Sequence, residues 1–157
     1  MIARDIFACS TVISSVLVAS SLAASVPTTL EPLFHSEPKV VRHVSGLDPV
    51  VRQVLLQSFG DDQRIADYGG KFDPSCMGGP GGLPSRRLAL AVHIGGRWFV
   101  EYEHGGRGRH SHLVVLSRSG TSWRVVYNGA GFYEYKTLSK LRRAITKGEY
   151  REQAVDA

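Results

Sequence analysis

WFVEYEHGGRGRHSHLVVL, residues 98 to 116, alternates apolar and polar side chains on either side of a glycine-rich centre. A period of two is the signature of a strand with one face buried. Trp98, Val100, Tyr102 and His104 share one face of the first half, and His110, His112, Val114 and Leu116 repeat that order in reverse. Between them Gly105-Gly106-Arg107-Gly108-Arg109 holds three glycines, which reach positive φ without steric cost, so the segment reads as a five-residue hairpin loop. Centring the turn on Arg107 sets His104 opposite His110, Tyr102 opposite His112, Val100 opposite Val114 and Trp98 opposite Leu116. Cross-strand partners share a face, so three histidines collect at the loop end of an otherwise apolar surface. Glu101 and Glu103 fall on the other face with Phe99, Ser111, Leu113 and Val115, and a slip of one residue would exchange the two faces.

Outward from this hairpin the same period continues. Leu88, Leu90, Val92 and Ile94 alternate with Ala89, Ala91 and His93, and Gly95-Gly96 forms a two-residue turn into Trp98. That turn pairs His93 with Trp98, Ala91 with Val100 and Ala89 with Tyr102, and leaves Leu88, Leu90 and Val92 on the glutamate face. On the far side Ser119-Gly120 turns the chain into Trp123, Val125 and Tyr127, which join the histidine face. Four antiparallel strands in a meander result.

Two helices flank them. Asp48 caps the first, Pro49 suits its first position, Gly60 ends it, and Val51, Val54, Leu55 and Phe59 form one apolar stripe. Thr137 caps the second, where Leu138, Leu141, Ala144 and Ile145 face inward and Lys140, Arg142, Arg143 and Lys147 face out. The predicted fold is α+β: a four-stranded antiparallel meander packed with an N-terminal and a C-terminal helix.

The 157 residues suit one folded domain. Residues 1 to 24 read as a signal peptide, with an apolar run from Ile6 to Leu22 and small residues near its end, so the chain is expected to be exported to a periplasm or secreted. Residues 25 to 45 carry three prolines and little periodicity and read as an extended or disordered lead-in. Residues 46 to 151 form the α+β domain and 152 to 157 a tail. Removing the leader removes Cys9, which leaves Cys76 without an internal disulfide partner. Arg4 and Asp5 cancel, so the mature chain keeps the net charge of +5, a balance that favours anionic partners. There is no specific nucleic-acid motif, no transmembrane span in the mature chain, and no EF-hand spacing among the acidic residues of 61 to 73.

The candidate chemistry lies at the hairpin. His104, His110 and His112 match a three-histidine metal site with an open position, the ligand set zinc uses in carbonic anhydrase, where the bound water ionises near neutral pH. Arg107 and Arg109 at the loop tip offer guanidinium groups, beside backbone N–H groups, to a phosphate or carboxylate. A phosphodiesterase that combines histidine with glutamate fits less well, because strand parity puts the two on opposite faces. The first functional reading is a binding or structural module for an anionic or cell-envelope partner. The alternative is a metal-dependent hydrolase using the three histidines.

Overall fold

The computed structural model describes residues 26–35, 37–60, 62–75, 82–106, 108 and 110–153. Residues 1 to 24, read above as a signal peptide, and with them Cys9, lie outside the described residues, as do Cys76, Arg107 and Arg109. The class is α+β with an antiparallel sheet, but the sheet has six strands rather than four. In chain order they are β1 (Val40–Val41), β2 (Arg86–Ile94), β3 (Arg97–His104), β4 (His110–Ser119), β5 (Ser122–Gly131) and β6 (Arg151–Glu152), and the spatial order is the same. The added edge strands are two residues long each, too short to display any period in the sequence.

Helix α1 (Pro49–Gln57) precedes β2, and helix α2 (Leu138–Thr146) lies between β5 and β6. The first helix is not the first element: a 3-10 turn at Glu31–Phe34, strand β1 and a second 3-10 turn at Val44–Gly46 come before it. Within the segment read as an extended lead-in, Leu30 and Leu33 are fully buried and join the core. Arg142 of α2 fastens that segment, donating from Nε to the Leu33 carbonyl at 2.7 Å and pairing with Glu37 at 3.0 Å. The helix starts follow local chemistry. The Asp48 carboxylate accepts from the N–H groups of Val50 (2.9 Å) and Val51 (3.3 Å), and the Thr137 hydroxyl accepts from the Lys140 N–H (3.3 Å).

In the central hairpin β3 and β4 pair with Trp98 opposite Leu116, Val100 opposite Val114, Tyr102 opposite His112 and His104 opposite His110. Gly95 and Gly96 take φ of 56° and 70°, the two positive values a tight right-twisting hairpin turn needs. Two irregularities alter the outer registers. Between Leu88 and Leu90 a shift pairs Leu88, not Ala89, with Tyr102 and brings Arg86 opposite His104. Leu88 therefore packs on the histidine face rather than with the glutamates. Arg42 stabilises the break by donating to the freed Ala89 carbonyl. Between Val115 and Leu116 a second shift pairs Val115 with Tyr127 and Val114 with Asn128, so Tyr127 leaves the histidine face and Asn128 takes its place.

The sheet is apolar on both sides. One core gathers Val51 and Leu55 of α1 on Leu88, Val100, Val114 and Leu116. The other gathers Leu141 and Ile145 of α2 on Leu90, Phe99, Leu113 and Val115. Full burial of each such side chain contributes about 1.5–3 kcal/mol, and both faces of the central strands share in it.

Candidate metal centre

His104 closes β3, His110 opens β4, and His112 follows two residues later on the same face. Their rings form a triangle with centroid separations of 5.0 Å (His104 to His110), 5.0 Å (His110 to His112) and 5.8 Å (His104 to His112). One ring nitrogen from each lies within 4.8 Å of the others. Tetrahedral zinc, with bonds of about 2.0–2.1 Å, sets its nitrogens about 3.3 Å apart. Closing the triad on a metal therefore shortens these separations by at most about 1.5 Å.

Two of the three rings have their second nitrogen committed. His110 donates from Nδ1 to the Gly108 carbonyl at 2.8 Å, and His112 donates from Nδ1 to Oδ1 of Asn128 at 3.2 Å. Because each partner oxygen accepts, both protons sit on Nδ1 and both Nε2 atoms present lone pairs. This is how metal-bound histidines are commonly oriented, with a carbonyl or carboxylate fixing the tautomer from behind. Tyr102 stacks on His112 at 5.1 Å with the rings 3° from parallel, which holds the plane of the imidazole. Nε2 of His112 is buried and has no hydrogen-bond partner. Burial lowers the pKa of His104 and of His112 to about 4, so both are neutral at pH 7, the form that ligates.

Arg86 stands beside the triad, paired with His104 across β2 and β3. Its Nη1 donates to the Asp62 carbonyl (2.8 Å) and Ser85 Oγ (3.3 Å), and its Nη2 donates to the Phe59 carbonyl (3.2 Å). The guanidinium carbon lies 4.4 Å from the centroid of the Phe59 ring. Asp62 does not form a carboxylate pair with Arg86; its Oδ1 accepts from Arg64 at 2.7 Å and its Oδ2 from Ser85. Burial works to raise the Asp62 carboxyl, but these donors outweigh it and hold the pKa at about 2.

The opposite face carries the acids. Glu101 is fully buried and accepts from the Tyr135 N–H at 3.2 Å and the Tyr150 hydroxyl at 2.5 Å. Burial nevertheless pushes its carboxyl up to about 8. Ser111, on the same face, donates from its hydroxyl to the Tyr133 carbonyl at 2.5 Å. Glu103 pairs with Arg87 at 2.6 Å, and Lys136 holds Glu134 at 2.8 Å. A cleft of about 260 Å³ opens among Glu103, His110, Phe132, Tyr133 and Glu134.

The triad, its register and the parity that separates it from the glutamates follow from the hairpin pattern. Arg86 and Asn128 do not, because the two strand irregularities that place them leave no mark in the alternation. Among the described residues no helix is long and apolar enough to cross a membrane. Compared with known protein families, with curated proteins and with solved structures, the chain matches none.

Proposed function

We propose that this is an exported zinc-dependent hydrolytic domain in which His104, His110 and His112 hold the metal and a fourth position carries water. The observation that carries the reading is the lone pair of His112 Nε2, buried and without a partner within a triad of imidazoles. Leaving such an acceptor unsatisfied costs about 1–3 kcal/mol, and a metal ion removes that cost. Three neutral histidines would leave the charge of the ion uncompensated, and a zinc ion so held would lower the pKa of a bound water toward 7, the chemistry of hydrolysis without a separate base. That last point fits a face on which no glutamate stands.

Elemental analysis of the purified mature protein, with a variant in which all three histidines are alanine, tests the metal. One zinc per chain, lost in the variant, supports the centre; none in either overturns it. A hydrolase screen with and without chelator tests the reaction. Stoichiometric zinc without chelator-sensitive turnover favours the second reading, in which the metal and the loop residues Arg107 and Arg109 bind an anionic or cell-envelope partner without chemistry.

A further inference from the structure

Among the described residues two buried side-chain nitrogens lack a hydrogen-bond partner, and both belong to the loop end of the histidine face: Nε2 of His112 and Nε of Arg86. They are chemically opposite. The imidazole nitrogen offers a lone pair to a cation, whereas the guanidinium N–H needs an acceptor, for which an anion is the strongest choice. A metal-bound anion serves both. We propose that the ligand taken by this centre is a small oxyanion, with one oxygen on the metal and another accepting from Nε–H of Arg86. The inference rests on the metal reading above and names the substrate class of that site.

Charge balance supports it. Three neutral imidazoles leave a zinc ion with both its charges, and Arg86 adds a third within the same corner. Its own hydrogen bonds go to two backbone carbonyls and to Ser85 Oγ, none of them charged. Asp62, whose charge also acts on His104, is already paired with Arg64. Burying three positive charges with no compensating anion is costly, and the cost falls when an anion enters. The surroundings strengthen the attraction. The Phe59 ring lies under the guanidinium and packs edge-on against Tyr102 at 5.0 Å, so this wall of the site is apolar and lowers the local dielectric.

The geometry also limits the ligand. Nη1 of Arg86 donates both of its N–H groups and Nη2 donates one, so the N–H of Nε, whose nitrogen has no partner, is the group an anion would engage. An anion bridging metal and Nε needs two oxygens on one centre, as in a phosphate ester or a carboxylate. A halide or a thiolate cannot make both contacts. Arg86 is a binding residue in this arrangement: it is paired with His104 across the strands, its charge acts on His104 and His112, and the Phe59 and Asp62 carbonyls hold its guanidinium.

The test uses the whole mature chain loaded with cobalt(II), its metal content checked by elemental analysis and its visible absorption read during titration. Inorganic phosphate, acetate and neutral imidazole are the probes. Phosphate or acetate is expected to change the cobalt spectrum saturably, and the tighter of the two identifies the phosphate or the carboxylate class. Arg86→Met should weaken the anion by about 10- to 100-fold, the worth of a hydrogen bond to a charged group, while imidazole affinity changes by less than about twofold. Arg86→Lys, which keeps the charge and loses Nε, should recover only part of the loss. A metal-loaded protein that binds imidazole but neither anion overturns the inference and leaves the metal centre standing. So does equal anion affinity in a folded Arg86 variant. If neither variant folds, the wild-type comparison of anions with imidazole still decides. Failure to take up stoichiometric metal overturns both readings.

Discussion

Replacing Glu101 by Gln should change how folding stability depends on pH, in a window set by the surroundings of that side chain. Glu101 is fully buried, and burial pushes its carboxyl from an ordinary 4.5 up to about 8, against the pull of hydrogen bonds from Tyr150 and Tyr135. Between those values the folded chain keeps a proton that the unfolded chain has lost. The stability this group contributes is therefore complete below about pH 4.5 and declines as pH rises through about 8, by about 1.4 kcal/mol per unit. His104 and His112 act in the opposite sense. Desolvation lowers both from 6.5 to about 4, so the unfolded chain binds the extra protons and stability grows as pH rises between those values. Above pH 6.5 the histidine contribution is complete, and the decline due to Glu101 stands clear of it. From there to about pH 8 is 1.5 units, so the wild-type chain should lose about 2 kcal/mol more than the Gln variant. Gln keeps the size and an acceptor for the Tyr135 N–H and cannot ionise, which isolates the proton from the packing. Urea denaturation of the metal-free protein at intervals from about pH 6.5 to 8 reads the difference directly. If the Gln variant declines as steeply as wild type, Glu101 is not the group that binds the proton, and the account of the glutamate face is wrong.

Zinc at about a hundredfold above its Kd should stabilise the fold by about 3 kcal/mol, seen as a rise of several degrees in Tm that a chelator reverses and His112→Ala abolishes. Asn128→Ala removes no ligand but frees the back of the His112 ring, and zinc affinity measured by competition should fall about 10- to 100-fold. Gly105→Ala would place a Cβ 2.4 Å from the Asp73 carbonyl oxygen and 2.7 Å from the Pro74 carbonyl carbon, both backbone atoms. Thermal or urea unfolding should show a loss of about 1–3 kcal/mol from that crowding.

The central hairpin was legible because three independent signals agree on it: the alternation of Trp98 to His104, its mirror in His110 to Leu116, and a loop whose length allows one register. The helix starts at Asp48 and Thr137 were legible for a similar reason, since a cap is a local matter of one side chain and the next turn. What escaped the sequence is non-local. The shift at Leu88 and Leu90 depends on Arg42 reaching the Ala89 carbonyl from 47 residues away, and no pattern within β2 announces it. Counting by twos from the Gly95-Gly96 turn puts Arg87 beside His104, whereas the irregularity delivers Arg86 there and sends Arg87 to Glu103. The same arithmetic puts Tyr127 on the histidine face, and the shift at Val115 and Leu116 replaces it with Asn128. Thus the cluster of three histidines could be read in advance, while the residues that orient it and stand beside it could not. The short edges β1 and β6 were invisible because two residues carry no period.

Both faces of the sheet turn polar toward the loop end of the hairpin, yet they handle their polar groups differently, and that difference separates structure from function. On the face under α2, Glu101 is held by Tyr135 and Tyr150, Ser111 by the Tyr133 carbonyl, and Glu103 by Arg87. Each polar group there closes on another part of the same chain, so the set fixes the segment after β5 to the sheet and demands nothing from outside. On the histidine face the pairing stops one step short. His110 and His112 are fixed through Nδ1, Arg86 is fixed through both Nη atoms, and one nitrogen each of His112 and Arg86 is buried without a partner. Buried polar groups are otherwise satisfied with few exceptions, so two exceptions of complementary polarity in one corner argue for a ligand that completes both. The glutamates, though chemically richer, are already held by neighbours in the same chain, which is why the metal and anion are proposed on the other side of the sheet.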